Sequence, residues 1–140
     1  MIRNKSAKKL LLKGGRIIDP FSKKTFIGDM LIENGIISNI ADSISYRGKN
    51  YNVVDCKGLI VTHGFCDIHV HFREPGAEDK ENLKSGSTAA IAGGFTQVCT
   101  MPNTDPTIDT PEHVHYIKSK SSKLPVEIFP IGAISKTLQG

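Results

Sequence analysis

Tryptophan is absent from this 140-residue chain and aromatic residues make up only 6% of it, which leaves no platform on which bases could stack. Apolar runs are short. None approaches the ~20 residues that cross a bilayer, and Leu10-Leu11-Leu12 is too brief for the apolar centre of a secretory signal. Cysteine is scarce too: Cys56, Cys66 and Cys99 show no paired spacing and lie in or beside apolar stretches. Buried, reduced thiols in a cytoplasmic protein are the expectation, with no membrane partner. Cys99 has no base beside it in sequence, so packing is favoured over a nucleophilic role. Repeats and low-complexity tracts are missing as well.

Net charge is +4, but it is unevenly placed. Residues 1–24 hold eight Lys or Arg against one acid, Asp19, while residues 65–112 hold eight acids against three bases. The bases alternate with Leu and Ile as on a solvated sheet face. With no basic helix either, nucleic acid is not an expected partner.

Two segments differ in pattern. Residues 1–57 are expected to be β-rich, a small sandwich-like layer. Its strands are read at Lys9 to Lys13, Arg16 to Asp19, Thr25 to Glu33, Ile36 to Ile40 and Tyr51 to Cys56. Gly14-Gly15 and Asn34-Gly35 read as turns, the second a strong hairpin signal, and Gly48-Lys49-Asn50 reads as a loop. From residue 58 the pattern changes to strand, helix, strand, helix, strand. The apolar run Leu59 to Ile68 leads into His69, a helix is expected over Glu81 to Ala92, and Gly93-Gly94 ends it. A strand follows at Phe95 to Met101, then a helix at Glu112 to Lys123 and a strand at Val126 to Ile134, where Pro130 would cost a ladder bond. This alternation predicts an α/β fold with a parallel sheet.

In such sheets ligand-binding groups gather at the C-terminal strand ends. His69-Val70-His71 lies at one such end. Residues two apart on a strand share a face, so two imidazoles there make half of a metal coordination shell. Two polar residues satisfied by their neighbours would give the same spacing. Asp67, two residues upstream, would share the face and could orient a ring. Arg73 continues the rim, where its planar fork suits a carboxylate; the plainer alternative is a surface ion pair with Glu74 or Glu78. Asn103 falls just beyond the next strand. The second His-x-His, His113-Val114-His115, follows the helix start Asp109-Thr110-Pro111-Glu112; on a helix such residues do not face each other, so they read as solvated.

The stretch Gly64-Phe65-Cys66-Asp67-Ile68-His69-Val70-His71-Phe72-Arg73-Glu74-Pro75-Gly76, with Ala89-Ala90-Ile91-Ala92-Gly93-Gly94-Phe95-Thr96 and Met101-Pro102-Asn103-Thr104-Asp105-Pro106, resembles the dihydroorotases of the cyclic amidohydrolase superfamily. Arg-Glu-Pro-Gly and Met-Pro-Asn-Thr are its specific pieces; hydantoinases usually lack both, and allantoinases typically lack the Arg and the Asn-Thr. The resemblance implies the opening of a (β/α)8 TIM-type barrel over 58–140, preceded by the β-rich segment. It implies Zn²⁺, one or two ions, with His69 and His71 as ligands. It also implies Arg73 and Asn103 as holders of the substrate carboxylate, with dihydroorotate and carbamoyl aspartate as the small molecules interconverted. A homo-oligomer, or association with aspartate carbamoyltransferase, is the partner it suggests. The alternatives are a non-catalytic homologue that scaffolds that transferase, or a related allantoinase or hydantoinase. One departure is His63, where the family usually has Pro. The family's other metal ligands and its catalytic Asp come from later strands, so they are expected beyond Gly140. A whole barrel takes ~250 residues, so the 83 residues after Lys57 are expected to be its first part.

Overall fold

The computed structural model describes residues 9–47 and 50–140. The first eight residues, which carry part of the basic segment, and positions 48 and 49 of the expected Gly48-Lys49-Asn50 loop lie outside the described residues. The chain divides into two compact units, 1–63 and 64–140.

The first unit is one mixed sheet. Strands β1 (Lys9–Asp19), β2 (Lys24–Glu33), β3 (Ile36–Ala41) and β4 (Tyr51–Asp55) stand in the order β3-β2-β1-β4, and β5 (Ile60–Val61) also pairs with β1. The sandwich-like segment is thus a single sheet among the described residues. Asn34 and Gly35 form the expected β2–β3 turn, with φ of 54° and 80°, the left-handed conformation a tight two-residue hairpin requires. Gly14-Gly15 is not a turn. It sits inside β1, where Lys13 and Gly14 together oppose Asp29, a one-residue bulge at which Gly14 takes φ 67°. The reason is Asp29, buried to 3% exposure. Its carboxylate accepts from the Gly14 amide at 2.8 Å and the Ile44 amide at 2.9 Å, and pairs with Lys13 Nζ at 3.0 Å. Burial alone would push that carboxyl up, but the two amides and the ammonium outweigh it and hold it below the ordinary value.

The second unit is a parallel sheet, β6 (Phe65–Val70), β7 (Phe95–Thr100) and β8 (Glu127–Pro130), crossed by α1 (Leu83–Ala92) and α2 (Pro111–Ser121). The apolar run is divided: Ile60 and Val61 pair with Arg16 and Ile17, and the strand that leads to the His pair begins at Phe65. The last strand is also shorter than expected. It ends at Pro130, and Pro130 costs no bond to β7, because the next donor, the Ile131 amide, still reaches Thr100 O at 2.9 Å. Both helices begin at a cap: α1 starts at Leu83, two residues after the expected Glu81, and α2 at Pro111, one before the expected Glu112. Asn82 Oδ1 accepts from the Lys84 and Ser85 amides, and Ser85 Oγ accepts from the Asn82 amide in return. Thr110 caps α2, with Pro111 in its first turn.

In sequence, Leu83, Gly86, Ser87, Ala90, Ile91 and Gly94 recur at helical spacing, a mostly small-residue stripe suited to packing on a sheet. Its first half is buried, while Ile91 and Gly94 are exposed. Leu83, Gly86 and Ser87 are buried, and a Cβ on Gly86 would come within 2.5 Å of the Phe72 ring. Helices and sheet enclose Phe72, Leu83, Val98, Ile108, Ile117, Val126 and Ile128. Each fully buried aliphatic side chain here contributes about 1.5–3 kcal/mol. Elsewhere in this unit Phe65, Ile68 and Phe129 remain substantially exposed, Ile68 at 74%. No helix of the described residues is long and apolar enough to cross a membrane.

Candidate metal and substrate site

β6 and β7 run parallel with Val70 opposite Thr100, and the ladder continues past both ends through the Met101 amide, which donates to Val70 O at 2.9 Å. This aligns the residue after one strand with the loop after the other. His71 immediately follows β6, and its ring lies 5.2 Å from that of His69, centroid to centroid, inclined at 61°. The Asn103 loop is braced at several points. The Thr104 and Ile108 amides donate to Pro102 O, and Thr104 Oγ1 donates to Pro106 O. Asn103 Oδ1 then meets His71 Nδ1 at 2.9 Å. With the amide oxygen accepting, Nδ1 carries the proton and Nε2 keeps a lone pair.

Arg73 follows on the same rim in a three-residue turn. Its φ is 59°, unusual for a side chain with a Cβ, and the Glu74 amide donates to Phe72 O at 2.7 Å across it. Its guanidinium is exposed, and the alternative ion pairs are taken up elsewhere. Glu78 Oε2 accepts from the Gly76 amide. Glu74, at 5% exposure, accepts from the Leu83 amide at 2.7 Å and pairs with Lys120 of α2. That carboxylate raises the Lys120 ammonium above its ordinary value. The turn also needs Gly76: at φ 100° its missing Cβ would lie 2.3 Å from Asp105 O, so the Arg73 and Asn103 loops touch there.

Three expectations change. Asp67 lies opposite Val98, a residue of the helix-side core, and the ladder slips between Asp67 and Val70, which interrupts simple alternation. Its carboxylate accepts from the His69 amide at 3.0 Å, so it braces main chain and not an imidazole. His113 is only partly solvated, with Nδ1 3.4 Å from Asp109 Oδ1, while His115 is exposed. Asn103 has a histidine partner that sequence reasoning missed. Met-Pro-Asn-Thr marks the loop, but no sequence signal says which strand end an amide will touch. Burial, with Cys66 next to it, pushes the Cys99 thiol up, away from the thiolate a nucleophile needs.

The donor chemistry suits a borderline-soft divalent ion such as Zn²⁺: two imidazoles at one strand end, one with its second nitrogen already occupied by an amide oxygen. Among the described residues no group of three or more His, Cys, Asp or Glu is arranged to hold a metal, so the pair is a partial shell.

The fold is shared with enzymes of the hydantoinase class. An L-hydantoinase (dihydropyrimidinase) from Arthrobacter aurescens superposes with a TM-score of 0.76 at 24% identity, over 88% of this chain and 27% of that one. A D-hydantoinase does so at 0.71 and 24% identity, over 93% and 29%. Sequence narrows the class. The profile of the family described as Dihydro-orotase-like matches residues 58–137, more than half of the chain, and the chain belongs to that family. Its relatives include the dihydroorotases of Solibacter usitatus, 45% identical over 132 residues, and Aquifex aeolicus, 44% identical over 133. Each alignment covers 94% of this chain but only 30% and 31% of those proteins. The chain thus spans about a third of the length of the curated relatives it matches.

Proposed function

We propose that these residues form the opening part of a zinc-dependent cyclic amide hydrolase, the start of a (β/α)8 barrel. The enzyme opens dihydroorotate to N-carbamoyl-L-aspartate and closes the ring in pyrimidine synthesis. The observation that carries this reading is the gathering of His69, His71, Arg73 and Asn103 at the C-terminal ends of two adjacent parallel strands, with His71 and Asn103 in contact. His69 and His71 would hold the zinc, and the remaining ligands and the catalytic Asp would come from other segments of the polypeptide. A bound Zn²⁺ would supply Lewis acidity toward the ring amide and make water a stronger nucleophile at neutral pH.

The chain's own residues position the substrate. Arg73 presents a planar, permanently charged fork that takes a carboxylate by two parallel hydrogen bonds, and the Asn103 amide NH2 is free to donate beside it. Holding the carboxylate at one end of a small rigid ring fixes where the scissile amide lies relative to the two imidazoles. The substrate is a small molecule, the setting is the cytoplasm, and the partner is a second copy or aspartate carbamoyltransferase. Retention of the His pair favours the enzyme over a non-catalytic scaffold.

The test is ring opening by the complete polypeptide with dihydroorotate and with dihydrouracil, which lacks the carboxylate. Dihydroorotate should be strongly preferred, and Arg73→Lys should erode the preference. Equal turnover of both rings would show that the rim does not read a carboxylate and would return the chain to a hydantoinase-like role.

A further inference from the structure

We propose that Asn103 is a positioning residue for His71: its side-chain oxygen fixes the imidazole as the Nδ1–H tautomer, so that Nε2 is the nitrogen offered to a metal. This rests on the reading of His71 as a zinc ligand and gives Asn103 a duty besides substrate contact. The geometry is specific. His71 Nδ1 and Asn103 Oδ1 are 2.9 Å apart although the residues lie 32 positions apart in sequence. They meet because the β6–β7 ladder runs on through Met101 to Val70, and because the turn after Pro102 is closed by the Thr104 and Ile108 amides. The neighbouring loop sets the same distance, since the Asp105 amide donates to Pro75 O at 3.2 Å and Gly76 packs on Asp105 without room for a Cβ. A neutral imidazole has one donor and one acceptor nitrogen, so a hydrogen bond to one nitrogen decides what the other can do. An amide divides its duties in the same way. Oδ1 is used on His71, while Nδ2 keeps its two hydrogens for an anionic group at the rim. Asn103 therefore joins the ligand pair to the carboxylate end of the site.

The consequence is a metal-affinity effect that a residue contacting substrate alone would not show. In the complete polypeptide, with zinc affinity read by competition with a chromophoric chelator in the absence of substrate, Asn103→Ala should weaken zinc binding about 10- to 100-fold, the usual cost of losing such a partner. Asn103→Asp keeps an oxygen acceptor, so zinc binding should be at least as tight as in the unmodified protein, while its new negative charge raises KM for dihydroorotate. Arg73→Ala should leave zinc affinity unchanged and impair only the substrate. Asn103→Leu, near in volume and without an acceptor, repeats the measurement should the alanine variant fail to fold. Unchanged zinc affinity in both acceptor-free variants would overturn the proposal. Equal loss in Asn103→Ala and Asn103→Asp would also overturn it, because that pattern marks a loop that merely needs asparagine to fold. The ligand assignment beneath it fails in a different way: full zinc retention when His69 and His71 are both alanine.

Discussion

Both units bury a carboxylate that braces main chain, and the second also presents polar side chains at a strand-end rim. In the first, Asp29 is buried with both carboxylate oxygens engaged by Gly14, Ile44 and Lys13, so its charge shapes the backbone and leaves nothing for a ligand. In the second, Glu74 does similar work for the chain between β6 and α1, while His69, Arg73 and Asn103 stay exposed at the rim. A buried carboxylate must be partnered where it stands. Groups at the C-terminal ends of parallel strands have no strand beyond them and can be kept for a ligand. Charged residues thus divide into those that complete the fold and those that the fold presents.

That division predicts substitutions with separable effects. The largest belongs to the ligand pair: in the complete polypeptide, His69→Ala with His71→Ala should remove most bound zinc and reduce turnover to background, with the urea unfolding midpoint measured on metal-free protein little changed. Metal analysis of the purified variant decides it, and retained stoichiometric zinc would sink the assignment. Next, Arg73→Lys keeps the charge and loses the fork, which should lower kcat/KM on dihydroorotate ~10- to 1000-fold, about 1.4–4 kcal/mol, at unchanged zinc content. Unaltered kinetics would place Arg73 outside the site.

Asp29→Ala should do the reverse. It leaves the Gly14 and Ile44 amides and Lys13 without their acceptor, a loss of about 1–3 kcal/mol read as a lower denaturant midpoint. Zinc affinity and KM of the folded fraction should not move. A changed KM would break the separation between the units. The smallest effect is a pH dependence. Because Asp29's folded carboxyl sits below its ordinary value of 3.8, its contribution is present above that pH and is lost as pH falls through the folded value. Stability measured from pH 6 downward should therefore decline more steeply in the parent than in Asp29→Asn. Parallel profiles would remove Asp29 as the source.

Alternation, turn residues and caps act over a few positions, so sequence alone was enough for most strands, the Asn34-Gly35 hairpin and the order strand-helix-strand-helix-strand. The same logic put His69 and His71 at one strand end and discounted His113 with His115 as a pair. It failed where distant residues compete. Gly14-Gly15 has turn composition, yet Asp29, fifteen residues on, makes it a bulge within one strand. The run from Leu59 to Ile68 is apolar apart from Thr62-His63-Gly64 and Asp67, and only partner strands assign Ile60-Val61 to one sheet and Phe65–Val70 to another.

What the sequence determined by itself is the set of chemical groups at the rim and the face pattern that brings two imidazoles to a strand end. Tertiary structure decided how those groups are paired. The β6–β7 register slips, sending Asp67 toward main chain, and the braced loop after β7 brings Asn103 to His71. The physical reason is range: side-chain periodicity is a property of neighbouring residues, whereas a hydrogen bond between positions 71 and 103 exists only once two strands have chosen their register.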